Sequence, residues 1–344
     1  MQLSVETQHI AHFDAVPPAW RGAVVAIGNF DGVHSGHQAV LKAAEAEAEH
    51  LGVLCIVMTF EPHPRTFFAP AKPVFRLTPA TLKASLIAAL DLNGTLVMTF
   101  DRDLAGMEAE DFVTKILLEK LAARHVVTGY DFHFGHNRRG TPNFLQESGL
   151  MHGFGVTVVA EHGDEGGAVS SSRIRQALGE GDIDHANSLL GWSWSVSSTV
   201  VQGDKRGRDL GYPTANMALL PDTTLRHGIY AVRFARANGE VSGEVHDGVA
   251  NFGHRPTFDN GRPLLESFLF DFDGDLYGET ALVSLVGWIR PEEAFASPQA
   301  LIAQMDRDSA AARVLLAKTP PTPIDRKLVE LWPAVLAETR NLAL

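Results

Sequence analysis

Cysteine is almost missing from this chain. Cys55 is the only one in 344 residues, so no intramolecular disulfide can staple the fold. It stands in the apolar run VLCIVMTF, where a thiol reads as a small buried hydrophobe rather than a nucleophile. That usage suits a reducing compartment. No stretch reaches the roughly 18 consecutive apolar residues of a membrane span. The start, MQLSVETQHIAHFDAVPPAW, has no basic segment followed by an apolar core, so no secretory leader is expected and the expected location is the cytoplasm. Positive charge is also short: 29 Lys and Arg against 41 Asp and Glu leave a net charge of −12. This balance argues against a surface that draws its affinity from nucleic-acid phosphates. An anionic ligand must instead be held locally, by helix N-termini, a few His and Arg side chains, or a magnesium ion. There is no Walker A loop, no Cys/His cluster of zinc type and no internal repeat. The one low-complexity tract is TPPTP from Thr319.

What is present divides the chain in two. The first half alternates apolar runs with helical patterns: VVAIGNF from Val24, VLCIVMTF from Val53, TLVMTF from Thr95, HVVTGY from His125 and VTVVAE from Val156. Between them, Gln38–His50, Pro79–Leu92, Glu108–Ala122 and Phe144–Gly153 carry apolar residues three or four apart, as in Phe112, Ile116, Leu117 and Leu121. Thr78-Pro79 reads as an N-cap followed by proline at the first helical position. Runs so rich in Val, Ile and Leu suit strands buried on both faces, and the alternation predicts a doubly wound α/β domain of about five parallel strands. After Leu190 the period shortens to two in WSVSSTVVQG, GIYAVRFARA, EVSGEVHDGVANFG, LLESFLFDF and ETALVSLVGWI. Asn238-Gly239 and Asp273-Gly274 are hairpin signals among them. This half predicts a small closed antiparallel barrel followed by one amphipathic helix, Pro298–Leu316. The boundary is expected near Ala186–Gly191, giving domains of 1–187 and 188–344.

Six segments carry the chemistry. Gly28-Asn29-Phe30-Asp31-Gly32-Val33-His34-Ser35-Gly36-His37 lies between a strand and a helix. Its glycines allow close backbone approach, the helix N-terminus faces an anion, and His34 and His37 can both address a phosphate. A purely structural turn or half of a metal site is the plainer reading. Ser170-Ser171-Ser172-Arg173-Ile174-Arg175 opens a later helix, where hydroxyls ordinarily cap and arginines are ordinarily solvated. Thr59-Phe60-Glu61-Pro62-His63-Pro64-Arg65 and Asp131-Phe132-His133-Phe134-Gly135, with Arg138 and Gly140, each end a strand at the sheet edge where ligands collect. In the second half, the run from Gly203 through Tyr212-Pro213-Thr214-Ala215-Asn216 joins glycines, basic residues and a rigid proline, as a phosphate cradle would. Thr214 and Asn216 offer oxygen ligands for magnesium. Glu266 is a carboxylate among the apolar neighbours of LLESFLFDF, costly without a partner or a task.

From about Ala23 to Ala317 the chain resembles the bacterial bifunctional riboflavin kinase/FAD synthetase family. The HxGH of His34–His37 within GNFDGVH, the Ser-Arg segment, GxPTAN at Gly211–Asn216 and Gly253-His254-Arg255-Pro256-Thr257-Phe258 carry that resemblance. It implies a Rossmann-like nucleotidyltransferase domain followed by a riboflavin kinase barrel. The activities implied are ATP-dependent phosphorylation of riboflavin to FMN, then AMP transfer from ATP to FMN with release of pyrophosphate. In the transferase, His34, His37 and Arg173 would stabilise the transferring phosphate, and Gly28, Phe30, Asp31, Gly36, Ser171, Ser172 and Arg175 would bind the nucleotide. His63, Pro64, Arg65, Asp131, Phe132 and Arg138 would help to hold the flavin. In the kinase, Gly203, Lys205, Arg206, Gly207, Gly211 and Pro213 would cradle ATP, Thr214 and Asn216 would hold Mg2+, and Glu266 would take the flavin hydroxyl proton. Ser172 stands where threonine is usual, His133 where arginine is common, Trp192-Ser193-Trp194 where Arg-Pro-Tyr is common, and Ser198 at a usual glycine. The implied partners are riboflavin, FMN and ATP, with neither nucleic acid nor membrane, and the expected state is a monomer or weak homo-oligomer. Rival readings are a kinase with an inactive transferase half, an adenylyltransferase for another phosphate ester such as a pantetheine derivative, and a flavin carrier without catalysis.

Overall fold

Each apolar run read as a strand in the first half is one. The strands are β1 (Glu6–Ile10), β2 (Val24–Ile27), β3 (Cys55–Glu61), β4 (Gly94–Thr99), β5 (His125–Gly129) and β6 (Gly155–Val159). They form one parallel sheet in the order β1-β4-β3-β2-β5-β6. Residues 6–10, 16–203, 211–237, 244–254 and 262–339 are described by this computed structural model. Contacts divide it into two compact units, Met1–Ser170 with Ala334–Leu344, and Ser171–Pro333.

In the first unit every residue of β2 and β3 is buried, as strands covered on both faces require. Alternate residues Val25 and Ile27, Ile56, Met58 and Phe60, and Leu96 and Met98 share one core with Phe112, Ile116 and Leu117. Helix α1 (Ser35–Leu51) packs against β2 and β5 and ends at Gly52, whose φ of 64° is the left-handed stop expected of glycine. Further helices are α2 (Pro64–Phe68), α3 (Ala80–Ala89), α4 (Arg102–Gly106), α5 (Ala109–Asp111), which runs on as π-helical turns over Phe112–Lys120, and α6 (Pro142–His152). A short antiparallel pair, β7 (Gly163–Asp164) and β8 (Gly167–Ala168), follows β6.

The sheet has a sixth strand beyond the five expected. β1 is ETQHI, too polar to show a strand period, and as an edge strand it pairs with β4 alone. Thr78 does not cap α3, whose N-cap is Pro79. Its hydroxyl accepts instead from the Gly32 amide at 2.8 Å. The buried thiol of Cys55 is pushed up to about 12, chiefly by desolvation and further by Glu45, so it stays protonated and inert.

The second unit opens with α7 (Ser171–Glu180) and α8 (Ile183–Leu190). Six strands then close an antiparallel barrel: β9 (Ser195–Val201), β10 (Thr214–Ala218), β11 (Gly228–Arg236), β12 (Val245–His254), β13 (Pro263–Leu269) and β14 (Thr280–Arg290), in the order β10-β13-β12-β11-β14-β9. β10 was not expected as a strand, because the glycines and proline before it read as loop. The Asp273-Gly274 pair is not a two-residue hairpin turn: residues 270–279 join β13 to β14. Asn238-Gly239 lies outside the described residues. Two helices follow, not one: α9 (Pro298–Lys318) and α10 (Pro323–Thr339). The TPPTP tract and the internal Pro333 obscured the second.

Two of the departures from the family pattern, at Trp192–Trp194 and at Ser198, serve the packing and hydrogen bonding of this unit. Ser193 donates to buried Asp325 through its amide (2.8 Å) and its hydroxyl (3.1 Å), and Asp325 also accepts from the Thr322 amide at 2.8 Å. Trp192 and Trp194 are core residues, and the Ser198 hydroxyl donates to the Ala218 carbonyl at 2.8 Å. Helix α9 is pinned to the barrel by Arg290, whose guanidinium donates to both oxygens of Asp308 at 2.8 and 2.7 Å. No helix among the described residues is long and apolar enough to cross a membrane.

Candidate active sites

In the first unit, β2, β3 and β4 step outward in one direction, and the chain then returns to place β5 on the other side of β2. The loop after β2 therefore sits at a topological switch point, at the carboxyl edge where ligands of such sheets bind. That loop is the His34–His37 segment. His34 is the N-cap of α1, and its Nδ1 accepts the His37 amide hydrogen at 3.3 Å. An accepting Nδ1 fixes the neutral tautomer with hydrogen on Nε2. The two imidazoles stack at 3.6 Å between centroids, and a Cβ on Gly36 would meet the His34 ring at 3.2 Å. Gly36 is needed for that ring to fold over the first turn.

The loop is held in an uncommon conformation. Phe30 and Val33 have φ of 47° and 40°, the left-handed region that a β-branched residue strongly disfavours. Both side chains are buried, so packing holds the strain. Asp31 Oδ1 accepts from the Thr78 amide at 3.0 Å, and Thr78 in turn receives the Gly32 amide. The His37 Nδ1 is buried without a hydrogen-bond partner among the described residues. Desolvation holds this imidazole well below its usual range, helped by His34 and Lys83, which favours its neutral form.

Beneath the loop lies a charged group that the sequence reading missed. Lys83, within the almost wholly buried α3, donates to Glu61 Oε1 at 3.0 Å and Thr59 Oγ1 at 3.1 Å. The Thr59 hydroxyl donates to the Asn29 carbonyl at 3.0 Å, and Arg76 forks onto both oxygens of Glu61. Burial alone would raise the Glu61 carboxyl, but Lys83 and Arg76 hold it below its usual value. Burial lowers Lys83 despite the carboxylate. Lysine in a helix of apolar residues was the available signal, since a buried ammonium requires a partner.

Other expected residues end the neighbouring strands. His63 is the buried N-cap of α2, its Nδ1 accepting from the Arg65 amide at 3.1 Å, with Pro64 at the first helical position and Arg65 exposed. After β5, Asp131 and Arg138 are exposed, and Phe132 stacks on Phe134 at 5.6 Å. Gly135 there is compulsory: a Cβ would lie 2.8 Å from the Ala109 backbone. His133 turns back onto the Asp131 carbonyl at 2.8 Å. Thus Gly28, Phe30, Asp31, Gly36, His34 and His37 are assembled in one loop, with the His63 and Asp131 segments on the same sheet edge. Ser171, Ser172, Arg173 and Arg175 form the first turns of α7, which belongs to the other unit.

In the barrel, register does the assembling. Asn216 on β10 and Asn251 on β12 are both direct partners of Glu266 on β13, so the three side chains stand abreast on one face. The flanking rows are Thr214, Phe268 and Val249 on one side and Ala218, Leu264 and Gly253 on the other. Phe268 and Val249 pack with Ala312 and Leu316 of α9, which makes this the outer face of the barrel. Thr214 and Asn216, two apart on one strand, share it. Asn216 is 5% exposed, and its Oδ1 is buried without a hydrogen-bond partner among the described residues. A Cβ on Gly203 would lie 2.4 Å from Asn216 Nδ2, so glycine makes room for this side chain. Gly211 has φ of 85° before the exposed Pro213. Lys205, Arg206, Gly207 and Arg255–Phe258 lie outside the described residues.

Two family models match this chain: FAD synthetase over residues 16–173 and riboflavin kinase over residues 190–316. A bifunctional riboflavin kinase/FMN adenylyltransferase of Pseudomonas fluorescens is 40% identical over 301 residues, 87% of this chain and 95% of that protein. The chain belongs to the bifunctional riboflavin kinase/FMN adenylyltransferase family. The relative in Escherichia coli K12 is 39% identical over 303 residues, again 87% of this chain and 95% of its own. A solved Streptococcus pneumoniae chain described as a macrolide-efflux protein is 29% identical, with a TM-score of 0.79 over 89% of this chain and 98% of its own. In the terms of this family, the switch-point loop falls inside the FAD synthetase match and the Asn216–Glu266 row inside the riboflavin kinase match.

Proposed function

We propose that the protein makes FMN and FAD in sequence at two centres, riboflavin being phosphorylated at the outer-face row of the barrel and FMN adenylylated at the switch-point loop. Residues 1–187 serve adenylyl transfer and residues 188–344 serve phosphorylation. The observation that carries this reading is the pairing of Asn216 with Glu266, which sets a carboxylate beside an oxygen ligand lacking any partner among the described residues.

In phosphorylation, Glu266 orients the terminal ribityl hydroxyl and takes its proton as the oxygen attacks the γ-phosphorus of ATP, whose bond to the bridging oxygen breaks so that ADP leaves. Positioning and electrostatics supply most of the rate in such transfers. The donor set fits a hard cation: Thr214 and Asn216 present oxygens from one strand face, and the orphaned Asn216 Oδ1 is an acceptor left over for it. Mg2+ held there with the nucleotide would neutralise phosphate charge. Gly203, Lys205, Arg206, Gly207, Gly211 and Pro213 belong to the ATP cradle by motif.

In adenylylation, the FMN phosphate attacks the α-phosphorus of a second ATP and pyrophosphate leaves. The nucleophile is already an anion, so the site has charge to stabilise rather than a proton to remove. His34 offers its Nε2 hydrogen to a phosphate oxygen. His37 is neutral until a polyanion arrives and favours its protonation. Gly28, Phe30, Asp31 and Gly36 shape the loop around the nucleotide, and Arg173, with Ser171, Ser172 and Arg175, is assigned to phosphate by motif. His63, Pro64, Arg65, Asp131, Phe132 and Arg138 are the flavin-side residues. The working setting is cytoplasmic, with small-molecule substrates and a monomer or weak homo-oligomer.

The test is to incubate the protein with riboflavin, ATP and Mg2+ and separate riboflavin, FMN and FAD. Glu266→Gln keeps shape but accepts no proton, so FMN formation falls by ~10²–10⁴-fold while added FMN still becomes FAD. His37→Ala lets FMN accumulate and slows FAD formation by about a hundredfold. A stable Glu266→Gln protein with undiminished kinase activity refutes the assignment of the base.

A further inference from the structure

Beside Glu266 on the barrel face stands a polar side chain that the reaction as described does not use. Asn251, on β12, is the second cross-strand partner of Glu266. Its carboxamide oxygen is buried and accepts no hydrogen bond from any described residue. A buried polar group without a partner is costly, and this one replaces what the neighbouring rows fill with Phe268, Val249 and Leu264. An apolar residue would be the better choice for stability alone.

The order of the row says what the group meets. Asn216, Glu266 and Asn251 stand side by side in that sequence across β10, β13 and β12, with neighbouring Cβ atoms about 4.5–5.5 Å apart. The phosphoryl donor and its cation belong at the Asn216 end, and the reacting hydroxyl at Glu266. The attacking oxygen's bond to carbon points away from the phosphorus it approaches, so the rest of the substrate's polyol leaves Glu266 on the side away from the donor. That side is Asn251. We propose that the Asn251 carboxamide is a specificity-determining contact for the flavin's polyol chain, hydrogen-bonding the hydroxyl next to the terminal one while Glu266 holds the terminal hydroxyl. A hydroxyl both donates and accepts, so it satisfies either end of a carboxamide. The proposal rests on the reading of Glu266 as the kinase base.

The experiment compares kcat/KM for riboflavin and for a riboflavin analogue lacking that penultimate hydroxyl, in the unaltered protein, Asn251→Leu and Asn251→Ala. The unaltered protein should prefer riboflavin by about tenfold to a hundredfold, the scale of leaving one buried polar group unpaired. In both variants the ratio should collapse towards one, through loss on riboflavin alone. The thermal midpoint of Asn251→Leu should hold or rise, since the substitution removes an unsatisfied buried acceptor. Asn251→Ala serves if leucine overpacks the site. A preference for riboflavin that persists in the variants overturns the proposal, as does a changed magnesium requirement with an unchanged substrate ratio, which would make Asn251 a cation ligand. Glu266→Gln assayed alongside separates the two readings. An active Glu266→Gln protein refutes the base, whereas the substrate ratio reports on Asn251 independently.

Discussion

Replacing Lys83 by methionine tests whether the buried charges under the switch-point loop hold that loop in place. Methionine keeps most of the aliphatic stem of this residue, which is 2% exposed, and removes the ammonium that donates to Glu61 Oε1 at 3.0 Å and to Thr59 Oγ1 at 3.1 Å. Both bonds come from a charged donor and are worth ~1.5–3 kcal/mol each. Release of the ammonium's desolvation cost offsets part of that sum. Glu61 is not orphaned, because Arg76 still forks onto it, so the ~3–5 kcal/mol for a fully unpaired buried charge does not apply. The expected net loss is about 2 kcal/mol, a fall of about 4–8 °C in thermal midpoint for a domain of this size. Below that midpoint the Thr59 hydroxyl, which positions the Asn29 carbonyl, has lost its own donor. FAD formation from added FMN should then drop by about tenfold, a ~1.4 kcal/mol effect, while riboflavin phosphorylation is unchanged. Adding Glu61→Gln to Lys83→Met should cost less than it does alone, because residues in one network couple. Midpoint and FAD formation are read on the same preparation. A Lys83→Met protein as stable as the parent, with normal FAD formation, refutes the reasoning.

Three further outcomes follow from the same geometry. Gly203→Ala would put a methyl 2.4 Å from Asn216 Nδ2, so riboflavin phosphorylation should fall by at least about tenfold with adenylylation intact, as product separation would reveal. Chelating magnesium with EDTA should stop both reactions, since the net charge of −12 leaves little fixed positive charge to manage a triphosphate; full turnover by either centre would contradict this. The folded chain holds His37 well below 6.5, whereas the unfolded chain binds that proton near ~6.5. The unfolded state therefore carries more protons in this window, stability rises with pH through it, and the contribution is lost as pH falls below the unfolded value. Thermal midpoints should decline less steeply on acidification in His37→Asn than in the parent.

Much of the architecture was legible because it is written in local pattern. Runs such as CIVMTFE are buried on both faces and lie where a parallel sheet puts them, and the His34–His37 loop joins strand to helix as its glycines require. The parts that escaped were those whose local signal is weak or contrary. Strand β1 has a polar sequence at a sheet edge, β10 follows glycine and proline, and α10 contains Pro333. Thr78 shows how a local rule can be outbid. Its position before Pro79 fits a cap, but the buried Gly32 amide and Asp31 carboxylate gain more from it.

The residues hardest to foresee share one physical property: their meaning depends on register. Glu266 was conspicuous as a lone carboxylate, but nothing along the chain says that Asn216 and Asn251 stand on either side of it. A slip of one residue in either pairing would turn that neighbour to the opposite face, where Met217 and Phe252 fill the barrel core. The same holds for Lys83, whose partners Glu61 and Thr59 come from a strand while the lysine rides a helix. Sequence motifs marked the loops, where backbone shape is local and glycine and proline leave a signature. The supporting polar groups sit in elements whose composition looks purely structural, and only the pairing of strands and packing of helices brings them to the site. A buried polar atom with no partner is how such a group declares itself once the fold is known, and among the described residues Asn216 and Asn251 both carry one.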